Sequence, residues 1–261
     1  MSQIAILSDI HANLQALQAV LQEVQSCGVE HTVVLGDIVG YGASPSECVD
    51  LIRKLGGSCV MGNHDAAMQA VRRRGCSSLD PSWRQSGYLA GLVHSAKSLD
   101  AGQAEWLAQL PFTMKIPGAI VAHSSLHEPE NFAYIHDILS AEPTLEMLRD
   151  ETTHKVGFFG HTHVTDVFAD PSAVVEWLDG SRIRIPNGVA CVVMVGAVGL
   201  PRHETDHRAS WVLWDPAAAV VEFKKTNYHR LKAAQEIVNS GLPMEAARRL
   251  LTTEEEAFLI R

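Results

Sequence analysis

The sequence predicts an α/β domain in which two β-sheets abut, and three observations indicate this fold class. Short apolar runs alternate with helical patterns in the first half of the chain, which is typical of parallel strands joined by helices. The second half is instead rich in short strand patterns. The 261 residues contain no repeat, low-complexity tract or Gly/Ser linker, and this length suits one large α/β domain. We therefore expect a single domain over 1–261.

The first part of the chain contains three predicted strands, each followed by a loop with polar residues. In chain order the predicted elements are strand 4–7, helix 14–26, strand 32–35, helix 45–55 and strand 58–61. Asn13 predicts the start of the first helix as its cap, and Pro45 suits the first position of the second. Polar residues follow each strand at its carboxyl end, where open α/β sheets place their ligands.

The middle of the chain is predicted to be helical from about 66 to 110, and strands dominate the remaining part. The later predicted strands are 119–122, 156–159, 164–169, 181–185, 191–195, 210–214 and 220–225. Further helices are predicted at 143–151, 228–240 and 243–251. The last two helices, about 228–252, are expected to pack on the two sheets or to extend from them.

Composition excludes several classes of function. Lys and Arg number 21 and Asp and Glu number 30, so the formal net charge is −9. This balance argues against a nucleic-acid coat or a basic membrane-surface module. It does not exclude an anionic substrate, because bound metal cations would invert the local field without entering the count. The 13 histidines, against 4 tyrosines, suggest metal or proton chemistry.

Neither a membrane span nor a secretory signal is predicted. No apolar run approaches the roughly 18 residues of a membrane span, and the run over 4–7 stops at Asp9 without a basic n-region. The cysteines are odd in number, scattered, and without a Cys-x-x-Cys pair. They are Cys27, Cys48, Cys59, Cys76 and Cys191. This pattern predicts a reducing cytoplasm rather than a disulfide framework or a zinc ribbon.

Two short motifs place acidic side chains directly after predicted strands. Asp9 and His11 follow the first strand, and a carboxylate and an imidazole two residues apart can turn to one cation. The alternative for this pair is a capped turn with a surface histidine. Gly36 precedes Asp37 after the second strand, so the backbone can pass close to a ligand while the carboxylate points into a cleft. The alternative there is a plain β-turn.

Three further motifs supply nitrogen and amide-oxygen ligands. In the stretch 62–65, Asn63 offers a neutral oxygen, His64 is free for proton transfer, and Asp65 is expected to orient the His64 ring; the alternative is a helix N-cap. His161 and His163 after the strand 156–159 are the strongest single signal, although a surface His-x-His is the alternative. His123, which follows the predicted strand 119–122, is a weak signal by itself, because a lone histidine there is more often a satisfied core or edge residue.

Together these five elements supply oxygen and nitrogen ligands and no thiolate. This set suits Mn, Fe, Zn, Ni, Co or Mg and does not suit copper(I) or an iron–sulfur cluster. The motifs occur in an order that resembles the full signature of the calcineurin-like metallophosphoesterases, over about 4–215. Within that family the chain resembles the small bacterial and archaeal phosphoesterases. A loop over 195–202 and the tail with its Gly-Leu-Pro at 241–243 also resemble that subgroup.

The resemblance implies a four-layer α/β/β/α sandwich of two mixed sheets with a dinuclear metal site. It implies that Asp9, His11 and His163 hold one ion, that Asn63, His123 and His161 hold the other, and that Asp37 bridges them. The implied cofactors are two divalent ions per chain (Mn, Fe, Ni, Zn or Mg, with Mn or Fe favoured). The implied reaction is attack of a metal-bridging hydroxide on phosphorus, while His64, polarised by Asp65, protonates the leaving group.

Departures from the family pattern bear on the substrate. The phosphate-clamping arginine that other members carry after the Gly-Asp motif is absent from the stretch 36–42, which makes protein phosphatase and symmetrical dinucleoside tetraphosphatase activities less expected. Arg202 is the expected replacement, with a surface arginine as the alternative. Arg202, Tyr41, Asn63 and His64 are therefore the residues expected to bind substrate.

The leading functional hypothesis is a metal-dependent phosphatase or phosphodiesterase acting on small phosphomonoesters or phosphodiesters, nucleotides among them. The alternative is a dinucleoside polyphosphate hydrolase. A nuclease is disfavoured because the acidic chain predicts no groove that tracks phosphates. A catalytically inactive metal-binding scaffold is disfavoured because every expected ligand and His64 are present. No feature of the sequence specifies an oligomeric state.

Overall fold

The computed structural model describes residues 3–56, 58–75, 80–151, 153–170, 172–203 and 205–259. Of the five cysteines, Cys76 lies outside these ranges. The described strands are β1 (Ile4–Leu7), β2 (His31–Val34), β3 (Ser58–Cys59), β4 (Thr113–Ile116), β5 (Ala119–Ala122), β6 (Val156–Phe159), β7 (Thr165–Ala169), β8 (Glu176–Trp177), β9 (Arg182–Arg184), β10 (Cys191–Val195), β11 (Ala209–Asp215) and β12 (Val220–Thr226). The described helices are α1 (Leu14–Ser26), α2 (Pro45–Lys54), α3 (Asn63–Arg74), α4 (Gly87–Ser98), α5 (Ala101–Ala108), α6 (Ile138–Asp150), α7 (Arg230–Asn239), α8 (Met244–Arg248) and α9 (Thr253–Leu259), with short 3₁₀ turns at Pro81–Gln85 and Pro129–Asn131.

Two mixed sheets form the centre of the fold. The larger sheet has the order β3-β2-β1-β11-β12-β9-β8, and the smaller has the order β4-β5-β6-β10-β7. Strands β1, β2 and β3 are parallel to one another, as are β5, β6 and β10, while the remaining pairings are antiparallel. Loops that follow parallel strands leave a sheet at one edge, so the predicted ligand loops are brought to the same ends of the two sheets.

The side-chain alternation of β1 shows how the layers are assembled. Ala5 and Leu7 face an apolar cluster formed with α1 to α5, whereas Ile4 and Ile6 face the second sheet. Phe158 and Trp214 meet edge to face in the layer between the sheets, with ring centroids 5.3 Å apart. Helix α6 packs on the outer face of the smaller sheet. The predicted four-layer α/β/β/α arrangement is therefore confirmed.

Helix α6 begins five residues before its predicted start at 143. Asp137 caps it, and its Oδ1 accepts a hydrogen bond from the backbone of Ser140 at 2.8 Å. Pro143 lies inside the helix and removes one backbone hydrogen bond. Burial of Leu145 and Leu148 against the sheet offsets that loss. Strands β4 and β8 and helix α9 were not predicted, because two- to four-residue edge strands and a short exposed helix have little periodicity.

The C-terminal helices pack on the helical side of the larger sheet. Ala234 and Ile237 of α7 and Ala246 of α8 form an apolar cluster with Leu200 and the half-buried ring of Tyr41. The end of the chain therefore reaches the loops that follow β2 and β10. Among the described helices there is none with the length and apolar character needed to cross a membrane.

Candidate functional site

The loops after five strands converge on one buried cluster of polar side chains, which we call the ligand floor. It contains all seven predicted ligands: Asp9 and His11 after β1, Asp37 after β2, Asn63 after β3, His123 after β5, and His161 and His163 after β6. Asn63 is half-buried and the other six are buried, none of them more than 5% exposed. Five loops from two sheets thus bring these side chains together.

The ligand loops adopt strained backbone conformations. Asp9, His11, Asp37, His161 and His163 all have positive φ angles, between 49° and 65°. Non-glycine residues avoid this region, and each such residue costs about 1–3 kcal/mol. Hydrogen bonds between loops hold them there, such as those from the Asp9 and His11 amides to the carbonyls of Gly36 (3.2 Å) and Asp37 (2.9 Å). The structure therefore sets the ligand directions through the main chain.

The first group of ligands consists of Asp9, His11 and His163. His163 Nε2 lies 3.2 Å from Asp9 Oδ1 and 3.1 Å from His11 Nε2. The Nδ1 atoms of His163 and His11 lie 2.5 Å from the carbonyl of Leu200 and 3.3 Å from that of Val39. Each Nδ1 donates to its carbonyl, so both Nε2 atoms face each other as bare lone pairs.

The second group consists of Asp37, His123, His161 and Asn63. His123 Nε2 lies 3.0 Å from Asn63 Oδ1, 3.2 Å from His161 Nδ1 and 3.5 Å from Asp37 Oδ2. Its Nδ1 donates to the carbonyl of Leu35 at 2.7 Å, which leaves Nε2 as an acceptor. Polar side-chain atoms thus converge in this group as they do in the first.

Asp37 connects the two groups. Its Oδ1 accepts a hydrogen bond from the His64 amide at 2.7 Å. Its Oδ2 is buried without a hydrogen-bond partner among the described residues, 3.7 Å from His11 Nε2 and 3.5 Å from His123 Nε2. One carboxylate oxygen thus lies between a ligand of the first group and a ligand of the second.

The ligand floor fits metal cations. Ligands about 2.1 Å from one cation and perpendicular to each other lie about 3 Å apart, which is close to the spacings within both groups. Opposed lone pairs at such distances repel unless a cation lies between them, and the buried oxygens Asp9 Oδ1 and Asp37 Oδ2 have no partner among the described residues. Nitrogen and oxygen donors without thiolates suit divalent ions of borderline or hard character.

The electrostatics of the ligand floor also favour bound cations. Burial raises the pKa of Asp37 well above its usual range, and the charges of Asp9 and Asp65 add to the rise. Burial also lowers the pKa values of His64 and His161 to about 3, with contributions from neighbouring histidines. The His64 and His161 imidazoles are therefore neutral, which is the form of histidine that binds metals.

Asp65 does not orient His64, and this prediction was wrong. The Asp65 carboxylate accepts hydrogen bonds from the amides of Asp37 (2.8 Å), Ile38 (3.0 Å), Val39 (3.3 Å) and Gly62 (3.0 Å). It therefore fixes the loop after β2 to the start of α3. His64 Nδ1 is buried and has no hydrogen-bond partner among the described residues.

Rings rather than a carboxylate position His64. Its centroid lies 4.6 Å from that of His11 and 4.8 Å from those of Tyr41 and Tyr88. A Cβ at Gly40 would lie only 2.2 Å from His64 Nδ1, so this position requires glycine. His64 Nε2 faces the ligand floor, 3.9 Å from Asp37 Oδ2, and with His11 and Asp37 it forms a third group of close ligand atoms.

Aromatic and cationic side chains surround the ligand floor, and we call Tyr41, Tyr88, Tyr134, Arg202 and Arg249 the rim. Tyr134 stacks on His161 with centroids 3.8 Å apart, and 45% of its surface is exposed. Arg202 is exposed and donates its amide to the carbonyl of His163 at 3.3 Å. Its positive charge opposes the rise in the pKa of Asp37 and contributes to the fall in the pKa of His161. The Arg249 guanidinium carbon lies 5.5 Å from the Tyr41 ring centroid.

Sequence analysis missed Tyr88 and Arg249 in this site. Both come from helical segments, α4 for Tyr88 and the residue directly after α8 for Arg249, and neither follows a strand or belongs to a motif. Only packing of the helices against the loop after β2 brings them to the rim.

Comparison with known proteins identifies the family. The sequence profile of the calcineurin-like phosphoesterase superfamily domain matches residues 2–215. The chain is a calcineurin-like metallophosphoesterase. An uncharacterized protein of Methanocaldococcus jannaschii is 31% identical over 258 residues, which are 95% of this chain and 97% of that protein.

Solved structures agree with this assignment. The crystal structure of a metallophosphoesterase from Sphaerobacter thermophilus has a TM-score of 0.82 at 32% identity, over 95% of this chain and 98% of that chain. A hypothetical protein from Pyrococcus horikoshii shares the fold, with a TM-score of 0.76 at 18% identity over 96% of this chain and 98% of that chain. The predicted family is confirmed, and this metallophosphoesterase is a metal-dependent phosphoric ester hydrolase.

Proposed function

We propose that this metallophosphoesterase hydrolyses small phosphomonoesters or phosphodiesters, nucleotides among them, with two divalent cations on the ligand floor. The observation that carries the proposal is the position of Asp37 Oδ2, unpartnered among the described residues, between His11 of one ligand group and His123 of the other. A single carboxylate oxygen in that place is suited to contact two ions at once.

The residues divide between the two ions according to the two ligand groups. Asp9, His11 and His163 would hold one ion, Asn63, His123 and His161 would hold the other, and Asp37 would contact both. Mixed imidazole and carboxylate ligands favour Mn or Fe, with Ni, Zn and Mg as alternatives. When bound, the ions would lower the pKa of a water molecule and offset negative charge on the phosphate.

His64 supplies the proton for the leaving group in this proposal. Its Nε2 faces the ligand floor near Asp37, and its ring is held by Tyr41, Tyr88 and His11. Because His64 is neutral in the free protein, it would first take up a proton, which the negative charge of a bound phosphate favours, and it would then donate that proton from Nε2 to the leaving oxygen. Burial of the ring keeps bulk water from competing for that proton.

Arg202 and Tyr41 bind the substrate beside the ligand floor. Arg202 follows Leu200, whose carbonyl accepts from His163, so its backbone is anchored next to a proposed metal ligand. It has no ion-pair partner among the described residues, and its planar fork of donors suits phosphate oxygens. It thus takes the place of the arginine that is missing after Gly36-Asp37.

The experiment that tests the proposal is metal add-back with chromogenic esters. Metal-stripped protein is assayed with p-nitrophenyl phosphate, bis-p-nitrophenyl phosphate and diadenosine tetraphosphate after addition of Mn, Fe, Ni, Zn or Mg. We expect turnover that depends on added metal, and two ions per chain by elemental analysis. Asp37→Asn should lose both the second ion and turnover, because an amide is a weaker and neutral bridging ligand.

Asp150→Asn is the matched control, because Asp150 lies exposed at the end of α6, remote from the ligand floor. It should retain metal content and activity. Wild-type protein that binds two ions but hydrolyses none of the three esters would contradict the proposed activity. Preference for the tetraphosphate would instead favour the dinucleoside polyphosphate hydrolase.

A further inference from the structure

Tyr41 contacts both the ligand floor and a cationic group that the phosphoesterase motifs do not include. Its ring contacts those of His11 and His64, at centroid distances of 5.0 and 4.8 Å. The Arg249 guanidinium lies over the same ring, 5.5 Å from its centroid. This guanidinium is therefore one tyrosine ring away from the residues that contact the reacting phosphate in the proposed function.

The position of Tyr41 is strongly constrained. Its backbone is left-handed, with φ of 57°, and a Cβ at Gly91 would lie 2.1 Å from its amide nitrogen. Its ring packs in the apolar cluster that α7 and α8 form with Leu200. Arg249 reaches Tyr41 because these helices are docked there, although it lies beyond residues 2–215 that the family profile matches.

Arg202 lies in the loop after β10, which packs against Tyr41 through Leu200. Leu200, two residues earlier, packs in the cluster that contains Tyr41, and the Arg202 amide is bonded to His163. Burial raises the pKa of the Tyr41 hydroxyl, and the charges of Arg249 and Arg202 oppose that rise. Both guanidinium groups therefore lie within electrostatic reach of one hydroxyl.

Arg249 has further N–H donors besides the one that binds Glu245. One nitrogen, Nη2, binds Glu245 Oε1 at 2.5 Å, one helical turn earlier. A guanidinium has five N–H donors, so this ion pair orients the group and leaves other donors for a ligand. The side chain is 41% exposed. Arg202 has no ion pair among the described residues, so the two arginines together carry an uncompensated positive charge on the rim.

We propose that Arg249 and the Tyr41 hydroxyl form a second anion subsite beside Arg202, and that this subsite binds a second phosphate group of the substrate. The inference rests on the proposed function, because the first phosphate must occupy the ligand floor. Residues of both positions contact the Tyr41 ring, at 4.8 to 5.5 Å from its centroid, so a substrate that reaches both carries two phosphates separated by a group of about the size of one ring. A nucleotide with phosphates on both sides of its ribose has this arrangement, and the Tyr41 hydroxyl can donate a hydrogen bond to it.

The test compares substrates that differ only in the second phosphate. Phosphate release by Mn-loaded protein is measured for adenosine 3′,5′-bisphosphate and for the 3′- and 5′-monophosphates. The wild type should prefer the bisphosphate by about tenfold or more in kcat/KM, the value of one good charge-assisted hydrogen bond. Arg249→Ala should remove most of that preference, and Arg249→Lys should restore part of it.

Arg248→Ala is the matched control. Arg248 is the neighbouring residue, it is 52% exposed, and it faces Glu256 at 3.7 Å rather than Tyr41. It should keep the wild-type preference. Equal preference in Arg249→Ala and the wild type, or no wild-type preference for the bisphosphate, would overturn the subsite. A purely structural role for Arg249 would instead lower kcat/KM equally for all three nucleotides.

Hydrolysis of p-nitrophenyl phosphate distinguishes failure of the subsite proposal from failure of the proposed function. If it is hydrolysed but the bisphosphate preference is absent, only the subsite is wrong. If no ester is hydrolysed, titration calorimetry of metal-loaded protein with the bisphosphate still decides the subsite. Arg249→Ala should then weaken its Kd about tenfold relative to that of the 5′-monophosphate, and an unchanged Kd would overturn the proposal.

Discussion

The ligand floor and the rim lie within a few ångströms of each other and are built in opposite ways. Floor side chains follow strand ends, and main-chain carbonyls such as those of Leu35 and Leu200 orient their rings. Rim side chains come from loops and helices and are held by ring stacking and apolar packing, as Tyr134 and Tyr41 are. Main-chain hydrogen bonds therefore fix the floor, whereas side-chain packing fixes the rim.

Because of this difference, we expect the floor to determine the reaction and the rim to determine which substrates are preferred. Buried, opposed acceptors on the floor leave little freedom beyond holding cations, so substitutions there should abolish activity. Half-exposed rings and arginines on the rim contact whatever part of a substrate extends from the phosphate. Substitutions there should alter preference among substrates while metal binding persists.

The largest effect is expected from removing a floor ligand. His161→Ala deletes a nitrogen from the second group and should lower activity by roughly a thousandfold or more, because several kcal/mol of charge stabilisation are lost. Elemental analysis should show fewer than two ions per chain. His154→Ala is the control, since His154 lies before β6 at its opposite end and bonds Thr153. Full metal content in His161→Ala would contradict the role of His161 as a metal ligand.

The next largest effect is expected from substitution of His64, which lies between the ligand floor and the rim. His64→Ala should lower kcat by roughly a hundredfold, as expected for loss of a proton donor to the leaving group. Metal content should remain at the wild-type value, because His64 is not among the proposed ligands. The loss should shrink for substrates with a better leaving group, since p-nitrophenolate needs less protonation than an alkoxide. An equal loss for both kinds of ester would remove His64 from the role of acid.

Substitution of Asp65 tests how much its four backbone hydrogen bonds contribute to the stability of the floor loops. Asp65→Asn replaces one acceptor oxygen by an NH₂ that faces backbone N–H donors, and we expect a loss of about 3 kcal/mol in the free energy of unfolding. Urea denaturation of metal-loaded protein measures it. Asp137→Asn is the matched control because Asp137 also accepts from a backbone amide but is exposed. It should cost about 1 kcal/mol or less, and equal losses in both variants would refute the special role of Asp65.

The smallest effect is expected on the rim. Tyr134→Ala removes the ring stacked on His161 and should lower kcat/KM about three- to tenfold, in line with the roughly 0.5–1.5 kcal/mol of an aromatic pair. Both ions should stay bound. Tyr134→Phe keeps the stack and should stay near the wild type. Loss of metal in Tyr134→Ala would show that the floor depends on the rim, contrary to the independence of the two regions.

Prediction from sequence succeeded where function follows local structure. The convergence of the seven floor side chains was predicted because each lies within a few residues of the end of an apolar strand, and parallel strands bring such ends together. The role of Asp65 was mispredicted because adjacency to His64 suggested a contact, whereas the side chain turns to four amides of two other segments. Hydrogen bonds between distant loops leave no periodic signal in a sequence.

The sequence by itself determined the order of the longer strands and helices, the family and the donor atoms of the floor. Those features depend on side-chain periodicity and on residue types at strand ends, which are local properties. Only the tertiary structure decided that Asp37 Oδ2 lies between two ligand groups and that Tyr88 and Arg249 reach the rim. Both depend on how helices and loops far apart in the chain dock, because their positions are set by long-range apolar packing rather than by neighbouring residues.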